Sequence, residues 1–355
     1  MNSFLIMEDA DTNFVIESVQ QQQIIFHPTI APAGHIDYTK FFASKRKKPF
    51  ILALDRNILS SLLKFCEKGS LKNSTEVRLI GLIMTWAEMN GVAISAGMAV
   101  RERASQMHSQ EVGLVELQRF KEAFDAYPGQ VWLRIAEGQL IEVPPVQFSM
   151  KPAQNITVNY ADSGDHYDMA VASLLHAVRL YRNETMKPAD KVLDFFKWMC
   201  DHLLISEYLL VYAIMLFTEQ ENIKAPKHAK NNDMTKIIAG CENQAWDIAY
   251  LTNWSTLYSN TDEYAEEVLF ATNDVLLKRI FINTNGPHGV NGLLFEVFSK
   301  KEYNQIIDEI GMIMTERVKP DFGDNPHEYF EMLIEEEKRL LSASLQNCDL
   351  KTIKL

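Results

Sequence analysis

The amino-acid sequence predicts an α/β protein whose parallel sheet is covered by helices on both faces. Short apolar runs suited to buried strands stand at 50–54, 91–95 and 266–274. Longer stretches with apolar residues at helical spacing separate them. Two of these strand segments stop at an acid, Asp55 in `ILALD` and Asp274 in `VLFATND`.

Taken in order, residues 1–48 carry weak strand signals around `QQIIFHP` and end in the basic run Lys45, Arg46, Lys47, Lys48. After the strand at 50–54, Ile58, Leu59, Leu62, Leu63 and Cys66 recur at helical spacing, and Gly69 marks a stop. Ser74 or Thr75 caps a second helix with Val77, Leu79, Ile80, Ile83, Met84 and Trp86 as its apolar positions. `GVAIS` is the next strand. Helical patterning then runs from near Met98 to about Tyr212, broken by loop-rich stretches at 128–148 and 160–168. A polar loop at 219–233 precedes a helix at 234–254, the strand ending in Asp274, and `KRIFIN`, a further strand candidate. Acidic helical segments close the chain.

Composition narrows the function classes. The 355 residues are 47% hydrophobic and 23% charged, an ordinary globular balance. A formal net charge of -12 argues against general nucleic-acid affinity, so such binding needs a local basic patch. Candidates are Lys45–Lys48, the loop with Lys224, Lys227, His228 and Lys230, and the pair Lys278 and Arg279. Four widely spaced cysteines without a CxxC pair are expected to be reduced thiols of a cytoplasmic protein. The first residues lack the pattern of a signal peptide. The apolar run 195–217 contains Lys197, Asp201, His202 and Glu207, which suits a buried helix better than a membrane span. No HExxH, Walker lysine loop or GxSxG elbow is present.

In an open parallel sheet, ligands bind beyond the carboxyl ends of the strands, where Asp55 and Asp274 fall. Each aspartate also fits the N-cap of the helix after it, so a structural role stays open.

`LALDRNIL` and `LFATNDVLLKRI` resemble two strand ends of PIN-domain nucleases, in which an apolar strand stops at Asp-x-Asn and a later one at Thr-x-Asp. `ISAGMAVRERASQ` offers Glu102 and `NQAWDIAYL` offers Asp247 for the family's two intervening acids, in the same order. The resemblance covers 49–112 and 236–290 as a PIN-like core. It leaves 1–48 as an N-terminal extension, 113–235 as a mostly helical insertion and 291–355 as a helical C-terminal segment. The insertion is much longer than in compact members of the family.

The resemblance implies a three-layer α/β/α fold with a central parallel sheet. It also implies a catalytic centre of Asp55, Glu102, Asp247 and Asp274 holding Mg²⁺ or Mn²⁺. The implied activity is metal-assisted hydrolysis, as an endoribonuclease on single-stranded RNA or, alternatively, single-stranded DNA, leaving 5′-phosphate and 3′-hydroxyl ends. Crowded carboxylates repel, and hard oxygen ligands favour these ions over zinc. Asn57, Thr272 and Asn243 are supporting candidates, with local capping or surface solvation as the alternative. Arg56 and Arg101, each beside a candidate acid, join Lys278 and Arg279 as candidate phosphate contacts, or serve as ordinary ion-pair partners. The competing function is a catalytically inactive interaction module that binds a protein partner through the helical insertion or the C-terminal helices; homo-oligomerisation stays open.

Overall fold

Among the described residues helix dominates, at 63%, and the four short strands make up only 5%. This corrects the expected three-layer α/β/α PIN-like architecture: the sheet is small and mixed, not a central parallel one. The computed structural model describes residues 5, 7–221, 223–259 and 266–352. They fall into two units, Met1–Ser163 with Trp254–Asp274, and Gly164–Asn253 with Val275–Leu355.

The first unit holds the sheet. Its elements are α1 (Asp9–Gln22), β1 (Ile25–Phe26), α2 (Tyr38–Lys45), β2 (Phe50–Leu54), α3 (Arg56–Lys68), α4 (Ser74–Met89), β3 (Ala93–Ser95), α5 (Gly97–Gln106), α6 (Gln110–Phe124) and α7 (Gly129–Ala136). The remaining strand, β4, comes much later in the chain at Glu267–Ala271. Strand order is β1-β4-β2-β3. β2 runs parallel to both β3 and β4, whereas β1 is antiparallel to β4.

Short strands suffice because helices cover the sheet. The central strand contributes buried Phe50, Leu52 and Leu54 to a core shared with Leu59 and Leu62 of α3, and with Ile80, Ile83 and Trp86 of α4. α3 is amphipathic, burying Ile58, Leu59, Leu62, Leu63, Phe65 and Cys66. Gly69, at φ +72°, ends it with a left-handed turn whose N–H donates to the Phe65 carbonyl. Beyond α7 the chain forms an irregular strap. Val143 N–H donates to Gly69 O at 2.8 Å and Val146 N–H to Cys66 O at 2.7 Å. Farther along, Ser149 N–H donates to Glu122 Oε2 and Ala153 N–H to Leu114 O, so the strap is tied to both α3 and α6.

The second unit is helical throughout its described elements: α8 (Asp165–Arg182), α9 (Pro188–His202), α10 (Glu207–Phe217), most of α11 (Met234–Ser259), α12 (Val275–Asn285), α13 (Gly289–Val297), α14 (Lys300–Glu316) and α15 (Pro326–Thr352). The apolar run 195–217 divides between α9 and α10, with Ser206 capping α10 through a bond from Leu209 N–H. Among the described residues no helix is long and apolar enough to cross a membrane. Buried His176 contacts Asp194 and Glu337, each at 3.1 Å, and stacks on Trp198. Its bond to Asp194 holds that carboxyl below the usual carboxylate range.

The strand expected at `KRIFIN` is helical. Leu277, Ile280, Phe281 and Thr284 of α12 are buried at the i, i+3, i+4, i+7 spacing of one helical face.

A Cβ placed on Gly69 would lie 2.2 Å from Val143 O, at a φ that side chains rarely adopt. Gly69→Ala is therefore expected to destabilise the fold by about 1–3 kcal/mol and to loosen the strap. Chemical denaturation checks this; an unchanged unfolding free energy would remove the Gly69–Val143 contact from the account.

Candidate functional site

The parallel register of β2 and β4 brings two distant turns together. Leu54 pairs with Ala271, and Asp55 N–H donates to Ala271 O at 3.0 Å. The next residue on each strand is therefore Asp55 on one side and Thr272 on the other. Thr272 Oγ1 donates to Asp55 Oδ2 at 2.5 Å and accepts from Asp274 N–H at 3.0 Å. One hydroxyl thus ties Asp55 to the turn that carries Asp274. Thr272 is itself fully buried and anchored through its N–H to Ile24 O, just before β1.

Asp55 caps α3, its Oδ1 accepting from Ile58 N–H at 2.7 Å. It is buried to 2% exposure, which penalises its charged form. Burial pushes its pKa from the ordinary 3.8 up to about 6, with the neighbouring Asp274 carboxylate adding to the rise. Bonds from Thr272 and from the Ile58 and Asn273 backbone oppose the shift. Asp274 is half-buried.

The other candidates stand on α3, on α5 and in the second unit. Glu102 lies half-buried on α5, where its Oε1 accepts from Gln106 Nε2 at 3.2 Å. Asn57 is exposed on the first turn of α3. Arg56 forms a two-pronged pair with Glu116 of α6, at 2.7 and 3.0 Å, and also donates to Ala99 O. Arg101 on α5 helps hold the Tyr160 phenol down against the larger upward effect of burial. Asp247, Asn243, Lys278 and Arg279 belong to the second unit. There Asp247 accepts from Gln244 Nε2 at 2.6 Å and Asn243 is exposed on the same helix. Within the first unit, the bonded cluster comprises Asp55, Thr272 and Asp274.

Glu116, the partner that fixes Arg56, escaped the sequence reading. Its signal was its place in `QEVGLVELQRF`, where helical spacing puts Val112, Val115, Glu116 and Arg119 on neighbouring positions of one face.

Among the described residues, no group of three or more His, Cys, Asp or Glu could hold a metal ion. Two carboxylates meet the minimum for Mg²⁺, which keeps several waters and takes further oxygens from a substrate phosphate. The fit to Asp55 and Asp274 rests on hard oxygen donors and on the Asp274 carboxylate, which adds to the rise that burial imposes on the Asp55 pKa.

No protein-family model, no curated protein and no solved structure matches this chain.

The raised pKa has a definite consequence for stability. In metal-free protein, protonated Asp55 stabilises the fold; that contribution is full below about pH 4 and is lost as pH rises through about 6. Asp55→Asn keeps the cap and removes the titration. Its stability relative to the unsubstituted chain is expected to rise by roughly 3 kcal/mol between about pH 4 and pH 7. Parallel denaturant titrations across this range test it; a constant difference would mean that Asp55 titrates normally.

Proposed function

We propose that the chain is a divalent-metal-dependent phosphodiester hydrolase acting on single-stranded RNA in the cytoplasm, with Asp55 and Asp274 as its ion-binding acids. The observation that carries this reading is the Asp55–Thr272–Asp274 linkage at the carboxyl ends of two adjacent parallel strands. Buried Thr272 fixes one Asp55 oxygen, while the Ile58 N–H fixes the other. The half-buried Asp274 presents the second carboxylate toward solvent more openly than Asp55 does. A bound Mg²⁺ or Mn²⁺ would supply charge neutralisation and an activated water there. Hydrolysis adds the water oxygen to phosphorus and breaks the bond to the 3′-oxygen. The leaving oxygen gains a proton, giving 5′-phosphate and 3′-hydroxyl ends. Buried free thiols at Cys66, Cys200 and Cys241 fit a reducing compartment.

A second reading has its own support. Asp55 is a helix cap with both oxygens bonded and Arg56 is engaged by Glu116, as in a non-catalytic interaction module. Catalysis separates the two. The purified chain is expected to cleave single-stranded RNA with Mg²⁺ or Mn²⁺ and to be silent with chelator. Asp55→Asn should lower the rate by on the order of 10³-fold while remaining folded. Equal cleavage by the Asn variant would leave Asp55 as a cap alone. No cleavage of RNA or DNA by the unsubstituted chain would favour the interaction module.

A further inference from the structure

The basic run Lys45, Arg46, Lys47 and Lys48 lies in the first unit, where α2 turns into β2. Backbone bonds fix this turn: Lys47 N–H and Lys48 N–H both donate to Ser44 O, at 2.8 and 3.1 Å. Lys45 is engaged structurally, because its Nζ donates to Asn90 O at the end of α4. Arg46 and Lys47 are exposed and, among the described residues, neither pairs with an acid. Lys40, also exposed on α2, pairs with Asp37 at 3.6 Å. The turn is thus an unneutralised positive end on a chain of net charge -12.

An aromatic column adjoins these charges. Tyr38, Phe42 and Arg46 follow one another at four-residue spacing, which places them on one face of α2 and its end. Phe42 is 49% exposed, although burial of its ring would be favourable. The ring is nonetheless braced. It meets buried Phe41 edge-on at 5.2 Å and tilts against Tyr38 at 6.1 Å. Phe41 in turn stacks on Phe50 of β2 at 5.0 Å, and Trp86 Nε1–H donates to the Tyr38 hydroxyl at 3.0 Å. A fixed, exposed ring one turn from an unpaired guanidinium offers a stacking face and a phosphate contact side by side.

That combination suits single-stranded nucleic acid, whose bases open flat faces between successive phosphates. A duplex keeps those faces inside its stack. A membrane surface needs a broad apolar helix face, whereas α2 keeps Phe41 in the core and leaves Phe42 alone outside.

We infer that Phe42, Arg46 and Lys47 form a binding surface for single-stranded nucleic acid, at the end of β2 opposite to Asp55. A base stacks on Phe42, and Arg46 and Lys47 contact the phosphates beside it. β2 is five residues long, about 17 Å, so this surface is separate from the Asp55 turn and goes beyond the hydrolase reading.

Fluorescence anisotropy of a labelled single-stranded RNA oligonucleotide tests this, with the full chain, chelator and a series of salt concentrations. Arg46→Gln with Lys47→Gln should reduce the salt slope by about 1.4, the share of two phosphates on a single strand. Phe42→Ala should weaken binding at least about fivefold with the slope unchanged, the loss of one stacked base. Phe42→Trp, which keeps a stacking face, should retain affinity. Circular dichroism verifies the fold of each variant. Affinity and slope unaltered in the double variant, or affinity unaltered by Phe42→Ala, would overturn the surface. No binding of the RNA at low salt would do the same. Equal affinity for duplex RNA, inorganic polyphosphate or polyglutamate would overturn it too, since none of these presents an open base. So would tighter binding to phosphatidylserine vesicles than to the RNA. Chelator keeps catalysis out of the measurement, so the two readings fail separately. Metal-dependent cleavage by a chain whose RNA binding ignores Phe42, Arg46 and Lys47 overturns the surface alone. Binding that depends on these residues, without cleavage, supports the surface and overturns the hydrolase reading.

Discussion

The parallel pairing of β2 with β4 is the constraint on which the site depends. It joins residues more than 200 positions apart in sequence and sets Asp55 opposite Thr272. Once that register is fixed, the last backbone bond, from Asp55 N–H to Ala271 O, leaves Asp55 buried with one oxygen against the Thr272 hydroxyl and the other on Ile58 N–H. A one-residue slip would turn every β4 side chain to the opposite face and break the link. The antiparallel contact of β1 with β4 and the Thr272–Ile24 bond reinforce the same alignment from the other side.

That arrangement places two opposing demands on one carboxylate. As an N-cap, Asp55 is favoured ionised, because its bonded oxygens stabilise negative charge. Burial and the charge on Asp274 favour the neutral form, and burial is the larger effect. A group balanced in this way changes ionisation near neutral pH and responds to any cation brought close to it. By contrast, Cys66, in the same core, has only burial acting on it, which pushes its thiol up to about 12 and makes it inert.

The strand ends were the most legible part of the sequence. Apolar runs that stop abruptly at an acid marked β2 and β4, and `GVAIS` marked β3, because a buried strand next to a polar turn leaves a sharp compositional edge. Pairing was not legible, since nothing local in `VLFAT` identifies its neighbour as `ILAL`. The fold class was overestimated for a related reason. Three recognisable strands suggested a large parallel sheet, yet the strands are two to five residues long and helix supplies most of the structure. The helix α1 went unread because only Val15 and Val19, one turn apart, are buried along it.

The central claim is that strand pairing creates a buried acid coupled to a second acid through Thr272. Carboxyl ¹³C NMR titration of Asp55 in metal-free protein measures this most directly. The account predicts a pKa near 6, lowered by Asp274→Asn, which removes the repelling charge, and raised by Thr272→Val, which removes a bond to the carboxylate. An Asp55 pKa near the ordinary 3.8, indifferent to both substitutions, would contradict it.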